Sequence, residues 1–573
     1  MTLLYFYRHA HQESTALEAR MYLERVEIVG FRGINRLSLT LDENTVLIGE
    51  NAWGKSSLLD ALSLLLTPSP PLYHFDLQDF HFTPGDETSR ERHLQVIFTF
   101  CESAPGHHLA PRYRSLSPVW IKGEGRLHRI FYRLEGEMDE SQAIFTWRSF
   151  LDANGQALAL DNIDWLASEI VRLHPVLRLR DARFIRRFRT GTLMPQVDDN
   201  ELLSRQFETL VRELAQNPNR LTNQELRQGL VAMRQLVEHY FSEQGADPND
   251  RRHHRHARAG NGRAWRSLDN INRMISGSHN RSRRIILLEL FSTLLQAKGS
   301  AVLDPHARPL LLIEDPETRL HPIMLSVAWG LLTQLPLQKI TTTNSGELLS
   351  LVPVEQVCRL VRESAKVATY RIGRQGMTQE DSRRITFHIR FNRPTSLFAR
   401  CWLLVEGETE VWMLSELARQ CGHHFEAEGV RVIEFAQAGL RPLLKFAYRM
   451  GIEWHVLVDG DDAGKKYAAT ARSLLQSQGE SERDHLTMLP ALDMEHFMYR
   501  NGFSQVYHRV AQLPEPVPLS AAKIITKAIH RTSKPDLAIE VAIEAASLGE
   551  SAIPPLIRSM FSRVLWLARG RAD

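Results

Sequence analysis

The sequence predicts an α/β chain of two successive domains, each built on buried parallel strands that end in polar residues. Three observations predict it. The apolar run Thr45–Ile48 leads into a glycine-rich loop and then a helical pattern. A second apolar run, Pro309–Ile313, ends in Glu314-Asp315-Pro316-Glu317. From residue 403 the strand-then-acid pattern starts again and occurs twice, at Leu403-Leu-Val-Glu406 and His455-Val-Leu-Val-Asp459. Short apolar runs with acids only at the tip are what parallel strands covered on both faces require.

Composition sets the outer limits. The chain has 573 residues, 43% hydrophobic and 24% charged, which is globular and long enough for two to four cores. The best apolar stretch, Leu58–Leu66, is short and contains Asp60, so no membrane-spanning helix is expected. Residues 1–20 lack the apolar core and cleavage site of a signal peptide. Cys101, Cys358, Cys401 and Cys421 form no CxxC pair, which argues for a reducing cytoplasm over a disulfide framework or zinc ribbon. The net charge of +3 hides two opposite regions. Residues 251–284 hold ten Arg and one Asp, whereas residues 400–500 hold 16 acidic and 11 basic side chains. One segment suits polyanions and the other suits cations.

In chain order, residues 1–20 are an N-terminal extension. Met21 opens the first core pattern and is read either as the true start or as the end of a tail. Residues 22–29 alternate as a half-buried strand does, followed by strands at Leu37–Leu41 and Thr45–Ile48. The loop Gly49-Glu-Asn51-Ala-Trp-Gly54-Lys55-Ser56-Ser57 has the GxxxxGK[ST] spacing between strand and helix. Gly49 and Gly54 let backbone amides approach phosphate, Lys55 reaches the outer phosphates of ATP, and Ser56 can ligate Mg²⁺. The helix Ser57–Leu66 turns its positive end toward the same anion. The expected domains are 21–155, an ATPase part; 156–265, a mostly helical insertion; 266–398, the rest of the ATPase; and 399–573, the second α/β domain.

The partner acids of the phosphate loop are expected at Glu314, which holds Mg²⁺ through water, and Asp315, which polarises the attacking water. About 260 residues separate the two motifs, a distance that ABC-type ATPase heads tolerate. Such heads complete their site in a dimer through a signature segment, for which Ser276-Gly277 is the candidate. The strand Lys339–Thr343 leads to Asn344, where ABC heads usually carry His; together with Asp315 this implies slow hydrolysis or ATP as a dimerisation switch. The periodic segments Leu202–Leu214 and Leu226–Tyr240 read as a helical dimerisation arm. Leu177–Arg189, with six Arg, reads either as a basic DNA-facing element or as a solvated helix flank. The Arg/His-rich stretch 251–266 reads as a phosphate contact, a metal site or a loop near the nucleotide.

In the second domain Glu406 ends a strand and Glu410 lies in the first turn of the next helix. Asp459 and Asp461, two apart in extended chain, share a side. Together they form a hard-oxygen cluster suited to Mg²⁺ or Mn²⁺. Glu495 adds a carboxylate and Lys534 a cation for the scissile phosphate. The pattern looks like a Toprim domain. The succession of ABC head, long insertion and Toprim resembles the OLD (overcoming lysogenization defect) nucleases over residues 21–540. The resemblance rests on the phosphate loop, on Ile313-Glu-Asp-Pro-Glu317 with His321-Pro322, and on Leu397–Gly407. It implies ATP-binding heads that dimerise and a Toprim that cuts DNA with two divalent metals. It matches Glu406, Glu410, Asp459, Asp461 and Glu495 to metal ligands and Lys534 to the catalytic lysine, with Glu406 also catalytic.

The expectation is therefore an ATP-binding, divalent-metal-dependent DNA endonuclease that is also a slow ATPase. The alternative is a DNA-binding SMC/RecF-like repair or defence ATPase whose Toprim does not cut. A topoisomerase needs a tyrosine nucleophile in a partner domain, and neither Tyr467 nor Tyr499 has one built around it. No membrane-coupling segment supports a transporter head.

Overall fold

The computed structural model describes residues 20–67, 71–82, 90–123, 125–179, 307–318, 322–335, 337–373, 376–391 and 393–570, with 231, 270, 273 and 304. The helical arm segments, Ser276-Gly277, the stretch 251–266 and His321 lie outside the described residues. The chain divides into two compact units, the second consisting of Val352–Glu355 and the residues from Tyr370 onward.

The first unit is built on one large mixed sheet. Strands β1 (Met21–Phe31) and β2 (Ile34–Thr40) form a hairpin, and β1 also pairs antiparallel with β4 (His93–Glu102). Next come β6 (His128–Met138), with β5 (Ile121–Lys122) and β7 (Ile144–Leu151) on its far side. The other half is parallel: β3 (Asn44–Ile48) lies between β10 (Lys339–Thr342) and β11 (Val357–Arg362), and β10 continues to β9 (Leu310–Glu314) and β8 (Val176–Leu179). Strand β12 (Val367–Tyr370) joins the halves between β2 and β11. Burial follows strand type. On β1, Leu23, Val26 and Ile28 are buried between more exposed neighbours, whereas all of β10 is buried. An antiparallel sheet is thus joined to a parallel one that carries the phosphate loop, the layout expected of an ABC-type P-loop head.

Sequence and structure differ here in two informative places. Helix α1 (Lys55–Leu65) begins two residues before the expected Ser57, because Gly54 caps it with φ +94°, a left-handed conformation that suits glycine. Lys55 thereby sits in the first turn. The Arg-rich run beginning at Leu177 opens as strand β8, since Val176, Leu177 and Leu179 are buried; α2 (Ile163–Leu173) precedes it.

The second unit is a four-stranded parallel sheet in the order β14 (Val430–Glu434), β13 (Cys401–Val405), β15 (Glu453–Val458), β16 (Leu486–Met488). Helices α5 (Glu408–Gln420), α6 (Leu440–Arg449) and α7 (Asp462–Gln478) connect or cover these strands; in the first unit α3 (Pro322–Leu332) and α4 (Gly346–Leu351) play that part. The chain ends in α8 (Met494–Met498), α9 (Ser504–Ala511), α10 (Ala521–Arg531), α11 (Lys534–Leu548) and α12 (Pro555–Ala568). All of β13 is buried, and Trp402 donates from Nε1 to Ser396 O at 2.9 Å. Residues from Tyr370 up to the expected border at 398 pack with this unit. The reason is local: the helix Gln379–Ile385 packs on α6, and His388 Nε2 lies 2.8 Å from Glu434 O.

Candidate phosphate loop and metal centre

In the first unit the loop after β3 brings Lys55 under the backbone. Its Nζ donates to Gly49 O at 2.5 Å and to Asn344 Oδ1 at 2.9 Å. Burial pulls the ammonium below its usual value, and Asp315 and Glu317 oppose that pull. Asn344 thus holds the lysine from the tip of β10, and its own N–H donates to Glu317 Oε1 at 2.7 Å. Thr343 Oγ1 donates to Glu317 Oε2 at 3.0 Å, and burial pushes the Glu317 carboxyl up. Asp315 accepts from Thr342 Oγ1 at 3.0 Å and has φ +42°, an unusual backbone for a non-glycine residue. The structure therefore gathers Lys55, Asn344, Asp315 and Glu317. Glu317 had no role assigned from sequence; it is the third acid of its motif, and that spacing was the available signal.

Glu314 is placed differently. It accepts from Arg178 Nε at 3.0 Å and Nη2 at 3.2 Å, and Arg178 Nη1 also donates to Asp60 at 2.5 Å. Ser57 Oγ accepts from Gly33 N at 3.1 Å, while Ser56 and Asn51 are exposed on the loop. Ser56 is thus the hydroxyl open to a ligand, and Ser57 holds the loop to the β1–β2 turn.

In the second unit the acids meet at the carboxyl ends of β13 and β15. Glu406 follows β13, and its carboxyl is pushed up by burial and Asp461 against the pull of Lys534. Glu410 Oε2 accepts from Gly407 N at 3.0 Å as α5 begins; burial and Glu495 push its carboxyl up. Asp461 caps α7, accepting from Gly464 N at 2.7 Å. Asp459 is the most perturbed. Burial, followed by Glu406, Glu410, Asp493 and Glu495, pushes it up to about 8. Glu495 is buried, and Lys534 Nζ lies 3.1 Å from its Oε1. Burial works against the charge on Lys534, but Glu495, Asp493 and Glu410 outweigh it and raise its pKa. Asp493, which caps α8 by accepting from His496 N at 2.8 Å, completes the set. It was missed in the sequence, although it sits two residues before Glu495.

By chemistry these residues suit a divalent ion, although among the described residues no three of them bring ligand atoms within 4.8 Å of one another. Glu406 Oε2 and Glu495 Oε2 are buried atoms with no hydrogen-bond partner, and burial together with the neighbouring acids pushes Asp459 far from the ordinary carboxylate range. One lysine does not offset six acids, whereas hard cations bind through carboxylate oxygens. In the first unit, Lys55 and the open Ser56 hydroxyl at the start of α1 fit a nucleotide phosphate.

Two family models match the chain. One, described as a protein of unknown function (DUF2813), matches residues 21–396. The other, overcoming lysogenization defect protein-like, TOPRIM domain, matches residues 397–461. An Escherichia coli (strain K12) relative, the uncharacterized protein YbjD, is 66% identical over 553 residues, 96% of this chain and 100% of that protein. Among solved structures, the C-terminal region of the Burkholderia pseudomallei OLD protein is similar over 30% of this chain and 99% of that one, at 18% identity and TM-score 0.25. The SMC head domain from Thermotoga maritima is similar over 61% of this chain and 98% of that one, at 11% identity and TM-score 0.27. No helix among the described residues is long and apolar enough to cross a membrane. The chain belongs to the DUF2813 family, shared with YbjD, and its second unit carries an OLD-like Toprim domain.

Proposed function

We propose that the chain is an ATP-binding, divalent-metal-dependent DNA endonuclease whose Toprim acids hydrolyse phosphodiesters and whose head binds ATP to set the state of a homodimer. One observation carries the reading: six carboxylates and one lysine converge at the strand tips with two buried carboxylate oxygens unpartnered. Glu406, Glu410, Asp459, Asp461 and Glu495 would hold Mg²⁺ or Mn²⁺, with Asp493 beside them. Bound there, the metal supplies water activation and charge neutralisation at the scissile phosphate. Lys534, kept protonated by Glu495, holds positive charge where the phosphate charge develops. Glu406, at the tip of β13, would act as a ligand and as a catalytic carboxylate beside the attacking water.

In the head, Lys55, Ser56 and the Gly49–Gly54 backbone hold the phosphates. Asp315 and Glu317 border the terminal phosphate, and Asn344 orients Lys55 but takes no proton at neutral pH. Because Glu314 is tied to Arg178, it positions β8 against β9. Hydrolysis is therefore slow, and ATP binding acts mainly as the dimer switch, through the heads and the 156–265 insertion.

The test is nicking of supercoiled plasmid with Mg²⁺ or Mn²⁺. Glu406→Ala and Asp459→Ala should each slow it by about 100-fold or more, in line with removal of a metal ligand or catalytic group. Nicking at the wild-type rate in both variants would sink the assignment.

A further inference from the structure

We infer that Glu102, His108 and His128 form a binding site for a divalent transition-metal ion, with Zn²⁺ as its best-matched occupant. The site lies in the antiparallel half of the first unit, on elements that contribute nothing to the phosphate loop.

Local geometry brings the three together. Glu102 is the last residue of β4 and His128 the first of β6; Cys101 pairs with Arg129, so the register sets Glu102 beside His128. His108 arrives from the helical turn His107–Leu109. The backbone N–H groups of His108 and His128 donate to the two Glu102 oxygens at 2.9 and 2.8 Å. These bonds aim the carboxylate independently of the imidazoles. The Nδ1 atoms of His108 and His128 then lie 2.8 and 3.0 Å from the same oxygens. The rings stack with centroids 3.7 Å apart. The two Nδ1 atoms and a carboxylate oxygen all fall within 4.8 Å of one another. A tetrahedral ion with bonds of about 2.0–2.2 Å needs its ligands about 3.3–3.5 Å apart, so small shifts suffice.

Charge supplies the second argument. The Glu102 side chain is 0% exposed, and its ion-pair partners among the described residues are those two histidines. Each of its oxygens accepts one backbone N–H, from His108 and from His128, whatever the tautomers of the rings. With both imidazoles neutral, a buried negative charge has no formal cation beside it. A divalent ion compensates that charge. Two imidazole nitrogens and one carboxylate select zinc or another first-row metal over Mg²⁺, which prefers oxygen alone. The proton balance is simple: each neutral histidine shifts its hydrogen from Nδ1 to Nε2, and the carboxylate is already ionised. The His108 and His128 side chains are 16% and 24% exposed, so water can complete the coordination. The ion would clip the end of β4 and the start of β6 to the turn between them.

The experiment uses the full chain bearing Glu406→Ala and Asp459→Ala, which removes two carboxylates of the competing acid cluster. The metal-stripped protein is titrated with Zn²⁺ by calorimetry, and its Tm is followed. One tight equivalent and a raised Tm are expected. Both should weaken by about 10–100-fold or more in affinity when His108→Gln or His128→Gln is added. They should persist when His253, His254 and His256 are replaced by alanine. Unchanged zinc affinity in the His108 and His128 variants, or loss of the equivalent in the alanine triple variant, overturns the inference. Should those variants fail to fold, X-ray absorption of the zinc-loaded parent protein decides. Two imidazole nitrogens at about 2.0–2.1 Å support the site, and a shell without imidazole refutes it.

Discussion

Asp459 shows what a single side chain discloses about the proposed metal centre. Its carboxyl is pushed up to about 8, first by burial and then by the surrounding acids. A carboxylate raised above its unfolded value of about 4 stabilises the fold fully below that value. The stability is lost as pH rises through the folded value. In chelator, the Tm of the metal-free second unit should therefore fall between about pH 4 and pH 8, and Asp459→Asn should flatten that slope. The same proton competes with the cation. Mn²⁺ affinity measured by calorimetry should rise about tenfold per pH unit below pH 8 and level off above it. A pH-independent affinity would mean that Asp459 is not a ligand. The clustering of Glu406, Glu410 and Glu495 with Asp459 makes the direction of this shift legible in the sequence; its size is not, because burial contributes most and Asp493 adds to it from beside α8.

At the scale of elements, the Toprim acids depend on a helix start that tolerates no side chain. A Cβ on Gly464 would lie 2.0 Å from Asp459 O, inside the first turn of α7. Gly464→Ala must push α7 away from the tip of β15, carrying Asp459 and Asp461 with it. We expect it to cost about tenfold or more in Mn²⁺ affinity and nicking while ATP binding by the head is retained; a variant with normal metal affinity would refute this. Elements were the most legible scale. Strand tips at Glu314, Glu406 and Asp459 followed from apolar runs ending in acids, since a buried strand cannot carry a charge until it emerges. The tie from Arg178 to Glu314 and Asp60 was not legible. A run of six arginines looks solvated by composition, and only the pairing of β8 with β9 turns the first of them inward. Asp315 was read as polarising water and Glu317 went unread, because their places depend on the turn after β9, where Asp315 takes a positive φ.

For the whole molecule, the phosphate loop and the acid cluster lie in separate compact units, so the chemistries proposed for them should fail separately. Lys55→Ala should abolish ATP binding, by about 100-fold or more in Kd, yet leave metal-dependent nicking measurable in the same preparation. Complete loss of nicking would favour an ATPase whose Toprim does not cut. The balance of +3 concealed this division, since the acids of the second unit offset arginines elsewhere in the chain. One feature of the head bears on how such a protein changes over generations. About 130 residues of sequence separate Leu179 from Leu310, yet β8 and β9 lie side by side in one ladder. Closing a longer excursion costs only about 0.6 kcal/mol for each doubling of its length. The ladder holds both ends whatever lies between them. Changes in the number of residues between Leu179 and Leu310 should therefore leave the pairing of β8 with β9 intact.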